Sequence, residues 1–157
     1  MIALSVAGVP APEGSVRALM MPGKRFPVVV HDNPKALKEW RGIVQAAAKC
    51  ALDDGAEAYP EGPVTVRIIF YLPRPASITV KHRREPTVRP DVDKLTRAVL
   101  DALTKARVYT DDAQVCELRV KKQYALAEPG ALIKIYRTTP PTEGAMDGAT
   151  EEVGSRT

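Results

Sequence analysis

The chain has 157 residues, 45% hydrophobic and 27% charged, so it is long enough for one folded domain and is not disordered throughout. No apolar run reaches the roughly 20 residues of a membrane span, and the first residues lack the basic lead-in of a secretory signal, so we expect a cytoplasmic protein without a membrane partner. The formal net charge of +4 permits a polyanionic partner such as nucleic acid but does not require one.

The first half of the chain predicts three strands and one long helix. Ile2 to Ala7 alternates in a strand pattern, and residues 16–21 and 27–30 predict two short strands. Asn33 and Pro34 are a typical helix start, because Asn caps free N–H groups and Pro at the first helical position loses no hydrogen bond. We expect a helix from about Pro34 to Leu52, with an apolar stripe of Leu37, Trp40, Val44, Ala47, Ala48 and Ala51.

The second half predicts a core strand, a helix and two further strands. Residues 64–72 alternate between strongly apolar and mixed positions and predict a strand with one buried face. Residues 74–90 are rich in proline and charge and predict a loop. Apolar positions at helical spacing predict a helix from Val92 to Lys105. Residues 115–124 and 132–136 then predict two antiparallel strands joined at a Pro-Gly turn.

The two cysteines, Cys50 and Cys116, are too few for a disulfide framework or a zinc cluster. Each lies within an apolar pattern. We therefore expect both to be small buried core residues.

The order of these elements favours an α+β fold over a doubly wound parallel sheet, because strands precede, separate and follow the helices without regular alternation. We expect a single domain, residues 1–138, with a mixed or antiparallel sheet and two main helices packed on it. Residues 139–157 are acidic and rich in Pro, Thr and Gly, without periodicity, and predict a disordered tail.

Three acids stand out as candidate metal ligands. Asp91 and Asp93 lie where a proline-led extended segment enters the second helix, and Asp112 follows that helix. Carboxylates are suitable ligands for Mg²⁺ or Mn²⁺, and such an ion would activate water for hydrolysis of a phosphodiester. The alternative is structural, because an Asp-x-Asp pair at a helix start is often a cap and an Asp-Asp pair is often a turn.

The spacing of these acids does not explain how all three could bind one metal ion. The helix between them rises roughly 20 Å, so a return strand that begins near Asp111 starts at the far end from Asp91. Tilt of the elements or a second subunit is needed to bring Asp112 beside Asp91.

The residues around these acids carry a family resemblance. The run PDVDKLTRAVLDAL from Pro90 to Leu103, continued without a gap to VYTDDAQV ending at Val115, resembles the signature of the RusA family of Holliday junction resolvases. Gly8-Val9-Pro10 and the later Arg17 are similar to that family's N-terminal strand and basic loop. The resemblance implies a homodimer of mixed α/β fold that uses Mg²⁺ to nick two strands symmetrically at a four-way DNA junction. It places the essential acids on Asp91, Asp93 and Asp112.

The chain departs from the family pattern at two positions. Lys94 stands where the family often has Asn, and Arg97 stands where it has a functional Lys. An Arg stays charged and is not a general base, so we expect Arg97 to stabilise charge on the reacting phosphate. The alternative is a helix ion pair between Arg97 and Asp93 or Asp101. Asp111 either braces Asp112 or forms the turn.

Basic residues before and after the acids are candidate phosphate contacts, with an ordinary solvated surface as the alternative. They are Arg17, Lys81, Arg83, Arg84, Arg89, Lys94, Arg119, Lys121 and Lys122. With these features, the resemblance implies a structure-specific endonuclease that resolves Holliday junctions or other branched DNA in recombination and repair. A catalytically inactive relative that binds branched DNA, and an Asp-x-Asp nucleotide-sugar transferase, are the alternatives.

Overall fold

The computed structural model describes residues 1–14, 16–19, 22–23, 25–26, 28–31, 33–78 and 85–138. The expected tail at 139–157 and the candidate residues Lys81, Arg83 and Arg84 lie outside the described residues, and for Arg17 only the backbone is described. In the part of the chain that is described, no helix is long and apolar enough to cross a membrane.

The described residues form two sheets and two helices. The strands are β1 (Ile2–Ala7), β2 (Val16–Leu19), β3 (Val28–His31), β4 (Val64–Leu72), β5 (Val115–Tyr124) and β6 (Gly130–Arg137), and the helices are α1 (Pro34–Asp53) and α2 (Val92–Lys105). β2 and β3 pair with each other, and the main sheet has the order β1-β6-β4-β5. β4 and β5 are parallel, whereas β6 is antiparallel to both of its neighbours. The prediction of an α+β fold with a mixed sheet and two helices is confirmed.

The register gives the main sheet one buried and one exposed face. A row of apolar residues runs across neighbouring strands through Leu4, Ile133 and Ile68, all of which are buried. The next row runs through Lys134, Arg67 and Arg119, all of which are exposed. The core therefore lies between the helices and the buried face, because period-two alternation sends successive side chains to opposite faces.

The two helices pack on the buried face as their apolar stripes predict. In α1 the buried residues include Trp40 and Val44, and the Asn33 side chain accepts a hydrogen bond from the Ala36 N–H at 3.4 Å. In α2 the buried residues are Leu95, Thr96, Ala98, Val99, Ala102 and Leu103. Both helices begin where the sequence predicts, because the start signals of Asn33-Pro34 and of Pro90-Asp91 are local.

The predicted pairing of the last two strands is wrong. β5 and β6 run in opposite directions, but β4 lies between them and pairs with both. A short connection with a Pro-Gly turn favours a hairpin, yet β4 supplies a strongly apolar strand whose burial outweighs that local preference.

The expected burial of the two cysteines is also wrong, because both are exposed. Cys50 lies in the last turns of α1, away from the buried stripe that contains Ala48. Cys116 lies in β5, at the edge of the sheet, where the pairing with β4 shifts by one residue. An apolar sequence pattern on an edge strand does not guarantee burial, since among the described strands β5 has a neighbour on one side alone.

Candidate metal and nucleic-acid site

Asp91 and Asp93 lie at the start of α2 and are both exposed. Asp91 occupies the N-cap position, with extended backbone angles of φ −72° and ψ 140°, yet its side chain makes no capping hydrogen bond. Asp93 lies in the first turn, where the positive end of the helix dipole favours a negative charge. The Asp91 side chain therefore does not cap α2. Both carboxylates are accessible to a ligand.

The segment that carries Asp91 is held by Lys122. The Lys122 ammonium donates to the carbonyl of Val88 at 2.9 Å and to that of Pro90 at 2.8 Å. Lys122 lies on the helix-facing side of β5, opposite buried Phe70 of β4. The contact anchors the approach to α2 at the carboxyl ends of β4 and β5. Lys122, a candidate phosphate contact in the sequence analysis, therefore positions Asp91.

Asp112 lies in a short 3-10 turn, Asp112–Gln114, that leads into β5. The Asp111 side chain accepts from the Ala113 N–H at 2.8 Å and caps this turn. The Gln114 amide donates to the carbonyls of Tyr59 at 3.1 Å and Gly62 at 3.0 Å. These contacts fix Asp112 beside the loop that precedes β4. Of the two roles expected for Asp111, the turn is the one observed.

Within one chain, Asp112 is distant from the other two acids. Asp91 lies beside the ends of β4 and β5, whereas Asp112 lies beside their starts, where Val115 pairs with Val64. The length of α2 and of the intervening part of β5 both give a separation of roughly 20 Å. Among the described residues, no group of three or more Asp, Glu, His or Cys side chains could hold a metal ion. One chain alone therefore does not assemble the three-carboxylate site.

The surroundings of Asp112 include the buried residue Tyr109. Burial raises the pKa of the Tyr109 hydroxyl, a hydrogen bond with Thr104 opposes the rise, and the nearby carboxylates of Asp112, Asp101 and Asp111 add to it. The Tyr109 hydroxyl donates to the Leu100 carbonyl at 3.2 Å. It therefore stays protonated at neutral pH and is no source of a general base.

Arg97 belongs to an ion-pair network that the sequence did not predict. Its guanidinium lies 3.9 Å from the carboxylate of Glu13, and its side chain is 68% exposed. Glu13 also lies 3.3 Å from Arg41 of α1, and Arg41 in turn contacts Asp101 of α2. The alternative from the sequence, a helix ion pair of Arg97 with Asp93 or Asp101, is not the pairing observed. Glu13 and Arg41 were missed because each is far from α2 in sequence.

A cleft of about 460 Å³ opens beside Asp91. Its lining consists of residues 10–14, Asn33, residues 89–91 and Lys94. The Lys94 ammonium lies 3.6 Å from the Asp91 carboxylate. Two of the predicted phosphate contacts, Arg89 and Lys94, therefore lie next to the candidate acids.

Two further predicted phosphate contacts, both on β5, lie on the other face of the main sheet. Arg119 and Lys121 are on the sheet face opposite the helices, since their register partners are Arg67 and Ile69 of β4. Arg119 pairs with Glu117 at 2.7 Å, and Lys121 lies 3.6 Å from Glu85. Arg67, Arg119 and Lys134 form a basic row across three strands that the sequence did not reveal, because it depends on strand order.

Comparison with known proteins identifies similar chains. Residues 18–136 match the family model described as endodeoxyribonuclease RusA. The uncharacterised protein YqaN of Bacillus subtilis (strain 168) is 31% identical over 133 residues, which cover 79% of this chain and 88% of YqaN. The match to the family model includes Asp91, Asp93 and Asp112 within its bounds.

Proposed function

The chain belongs to the RusA family of endodeoxyribonucleases, and from this premise we propose that it resolves Holliday junctions or other branched DNA by paired symmetric nicks. The observation that carries the proposal is the pair of exposed acids at the start of α2, one of them an N-cap residue whose side chain caps nothing. Arg89 and Lys94 beside Asp91 supply positive charge where a phosphate backbone would approach. We assign the activity to DNA recombination and repair.

The metal in this proposal is Mg²⁺, with Mn²⁺ as a substitute, and Asp91, Asp93 and Asp112 are its ligands. Oxygen donors suit these ions, but one chain does not bring the three carboxylates together. A homodimer in which the partner's Asp112 lies beside Asp91 and Asp93 would bring the three carboxylates together. The bound ion would make water a stronger nucleophile and neutralise charge on the leaving oxygen.

Arg97 has an electrostatic role in this proposal. It lies one turn after Asp93, and its side chain is 68% exposed, so a phosphate near the acids is within reach of its charge. Its pairing with Glu13 keeps the side chain on the same side of α2 as the cleft. Because guanidinium does not release its proton, Arg97 stabilises the transition state and does not activate water.

The direct test is cleavage of a labelled four-way DNA junction by the purified protein with Mg²⁺. Symmetric nicks are expected, and Asp93→Asn should lower the rate by at least about 100-fold while junction binding stays largely intact, because a lost ligand removes the ion and not the basic contacts. Asp53→Asn, an exposed acid at the end of α1, is the matched control and should cleave normally.

Three outcomes would contradict the proposal in whole or in part. Tight junction binding without cleavage in the unaltered protein would identify an inactive branched-DNA-binding relative. Unchanged cleavage by the Asp93→Asn variant would remove Asp93 from the ligand set. Binding of neither junction nor fork DNA would exclude both nuclease and inactive relative.

A further inference from the structure

The outer face of the main sheet, which is the face opposite the helices, is rich in exposed cations. Lys134, Arg67 and Arg119 lie in one row across β6, β4 and β5, and Lys121 follows Arg119 on the same face. All four side chains are exposed. Among the described outer-face positions of the four strands, Glu117 is the one acid, and it pairs with Arg119 at 2.7 Å. A polyanion is therefore a favoured partner of this face.

The two cations on the central strands, β4 and β6, are available to such a partner. In the described part of the chain, neither Arg67 nor Lys134 forms an ion pair, whereas Lys121 lies 3.6 Å from Glu85. The Arg67 guanidinium lies over the Tyr136 ring, 5.3 Å from its centre. A contact of this kind holds the guanidinium in place and keeps its charge. Arg67 therefore presents a positioned positive charge in the middle of the sheet.

Apolar and aromatic side chains lie beside these cations. Ile69 and Leu132 pair with each other in the next row of the outer face, and Tyr71 follows Ile69 on that face. All three are partly exposed. Tyr136 lies on the other side of the basic row, opposite Thr65 of β4, so roughly 20 Å of sheet separates it from Tyr71. The basic row therefore lies between two tyrosines.

A hollow of about 420 Å³ lies at the Tyr71 end of the outer face. Its lining includes Tyr71 and Gln123 of the sheet and the exposed Leu126 of the loop between β5 and β6. The volume is within the range of pockets that hold small organic ligands. An aromatic ring, an amide and an apolar side chain together suit a nucleobase, which has a flat face for stacking and a hydrogen-bonding edge.

We propose that the outer face binds single-stranded DNA, with phosphates at Arg67 and Lys134 and an unpaired base in the hollow beside Tyr71. Proteins that bind single strands combine positive charge along the backbone with aromatic side chains on which bases stack. A duplex offers phosphates but keeps its bases stacked inside, so it gains nothing from the apolar and aromatic side chains. The mixture on the outer face therefore favours a single strand over a duplex.

The assignment to DNA rests on the proposed function, because branched DNA intermediates such as forks carry unpaired strands. The surface itself does not rest on that function. A fully paired four-way junction has no unpaired strand, so its binding and cleavage do not need the outer face.

Binding of a fluorescently labelled oligothymidylate of about 15 nucleotides, followed by anisotropy, tests the proposal. Tyr71→Ala should weaken binding at least about fivefold, because a lost stacking contact has an effect of this order. Arg67→Met should weaken binding and reduce the steepness of the dependence of log affinity on log salt by about 0.7, the value of one phosphate contact to a single strand. Lys38→Met, at an exposed position of α1, is the matched control and should bind normally.

Folding does not limit this test. Tyr71 is partly buried, so the Tyr71→Ala variant is compared only after urea unfolding shows that it is folded under the binding conditions. Arg67 is exposed, and methionine keeps the apolar part of its side chain, so the Arg67→Met result stands without that check. Both variants should cleave a fully paired junction normally.

Competition shows what the outer face recognises. Unlabelled oligothymidylate should displace the labelled strand, whereas a duplex of the same length should need at least about a tenfold higher concentration, because its bases cannot stack on the protein. An equally effective duplex would indicate a contact through charge alone, and tighter binding of oligouridylate would assign the face to RNA. Either result would overturn the proposal.

Three further results would also overturn it. They are an unaltered protein that binds no oligothymidylate, binding that neither Tyr71→Ala nor Arg67→Met weakens, and a dimer that these two variants dissociate in sedimentation experiments. The last result would assign the outer face to a second copy of the chain.

The single-strand site and the proposed function can fail separately. A protein that binds oligothymidylate through Arg67 and Tyr71 but cleaves no branched DNA keeps the site and loses the function. A protein that cleaves fully paired junctions but binds no oligothymidylate keeps the function and loses the site.

Discussion

Lys122 illustrates how the role of a single residue depends on what its side chain reaches. The sequence places it among basic residues that could hold DNA, but its ammonium is engaged by the carbonyls of Val88 and Pro90. Charge-assisted hydrogen bonds of this kind are stronger than neutral ones and fix the backbone that they join. Lys122 therefore acts on the site through the position of Asp91.

Replacing Lys122 by Met should separate these two roles. The Lys122→Met variant is expected to unfold in urea with a loss of about 1–2 kcal/mol, because two carbonyls lose a charged donor but remain partly open to water. Junction cleavage should fall more than junction affinity. Lys134→Met, on the exposed face of β6, serves as the control with normal cleavage. A fall in affinity with cleavage of bound junction unchanged would instead assign Lys122 to the DNA.

The acids show what single residues can and cannot reveal in a sequence. Asp91 and Asp93 were predictable because their signal, a proline followed by an alternating acid pair at a helix start, is local. The length of α2 also indicated that Asp112 lies far from these two acids within one chain. Glu13 gave no signal, since its contacts to Arg41 and Arg97 depend entirely on how three separate segments pack.

Among the elements, α1 and α2 are joined by Arg41. Its guanidinium contacts Asp101 of α2 and Glu13, and its side chain is 20% exposed. The Glu13 N–H donates to the Lys94 carbonyl at 3.0 Å, which ties the segment lining the cleft to the first turn of α2. Arg41 thus links helix packing to the shape of the cleft beside Asp91.

The Arg41→Met variant should be destabilised by about 1–3 kcal/mol in urea unfolding, because it leaves two partly buried carboxylates without their shared cation. Lys38→Met changes an exposed position of the same helix and should cost little. Equal stability of the two variants would show that the network does not hold the helices together.

Elements with strong local periodicity were predicted to within one or two residues, as α1, α2 and β4 show. Strand neighbours were not, because the position of β4 between β5 and β6 is decided by pairing between residues distant in sequence. For example, Val66 pairs with Ile135. The exposure of Cys116 follows from the same cause, since only strand order tells which strand is an edge.

Across the part of the chain that the structure describes, two groups of basic residues lie on separate surfaces. Arg89 and Lys94 line the cleft beside Asp91, whereas Arg67, Arg119 and Lys134 lie on the sheet face away from the helices. A junction held at the acids contacts the first surface. The two surfaces can therefore be distinguished by matched arginine substitutions.

Arg89→Met should weaken junction binding and reduce the steepness of the dependence of log affinity on log salt by about 0.9, the value of one lost phosphate contact. Arg67→Met removes an arginine of the exposed sheet face and should leave that dependence unchanged. The reverse result, with Arg67 affecting the salt dependence and Arg89 not, would place the DNA on the other face of the sheet.

The most direct measurement of a site shared between two chains is complementation between inactive variants. One chain carries Asp112→Asn, and the other carries Asp91→Asn with Asp93→Asn; each alone should be inactive on a four-way junction with Mg²⁺. Co-expressed and purified through two different tags, the mixed dimer contains one intact set of acids and should nick a single strand of the junction. A mixed dimer as inactive as either parent would contradict a site completed by the partner's Asp112.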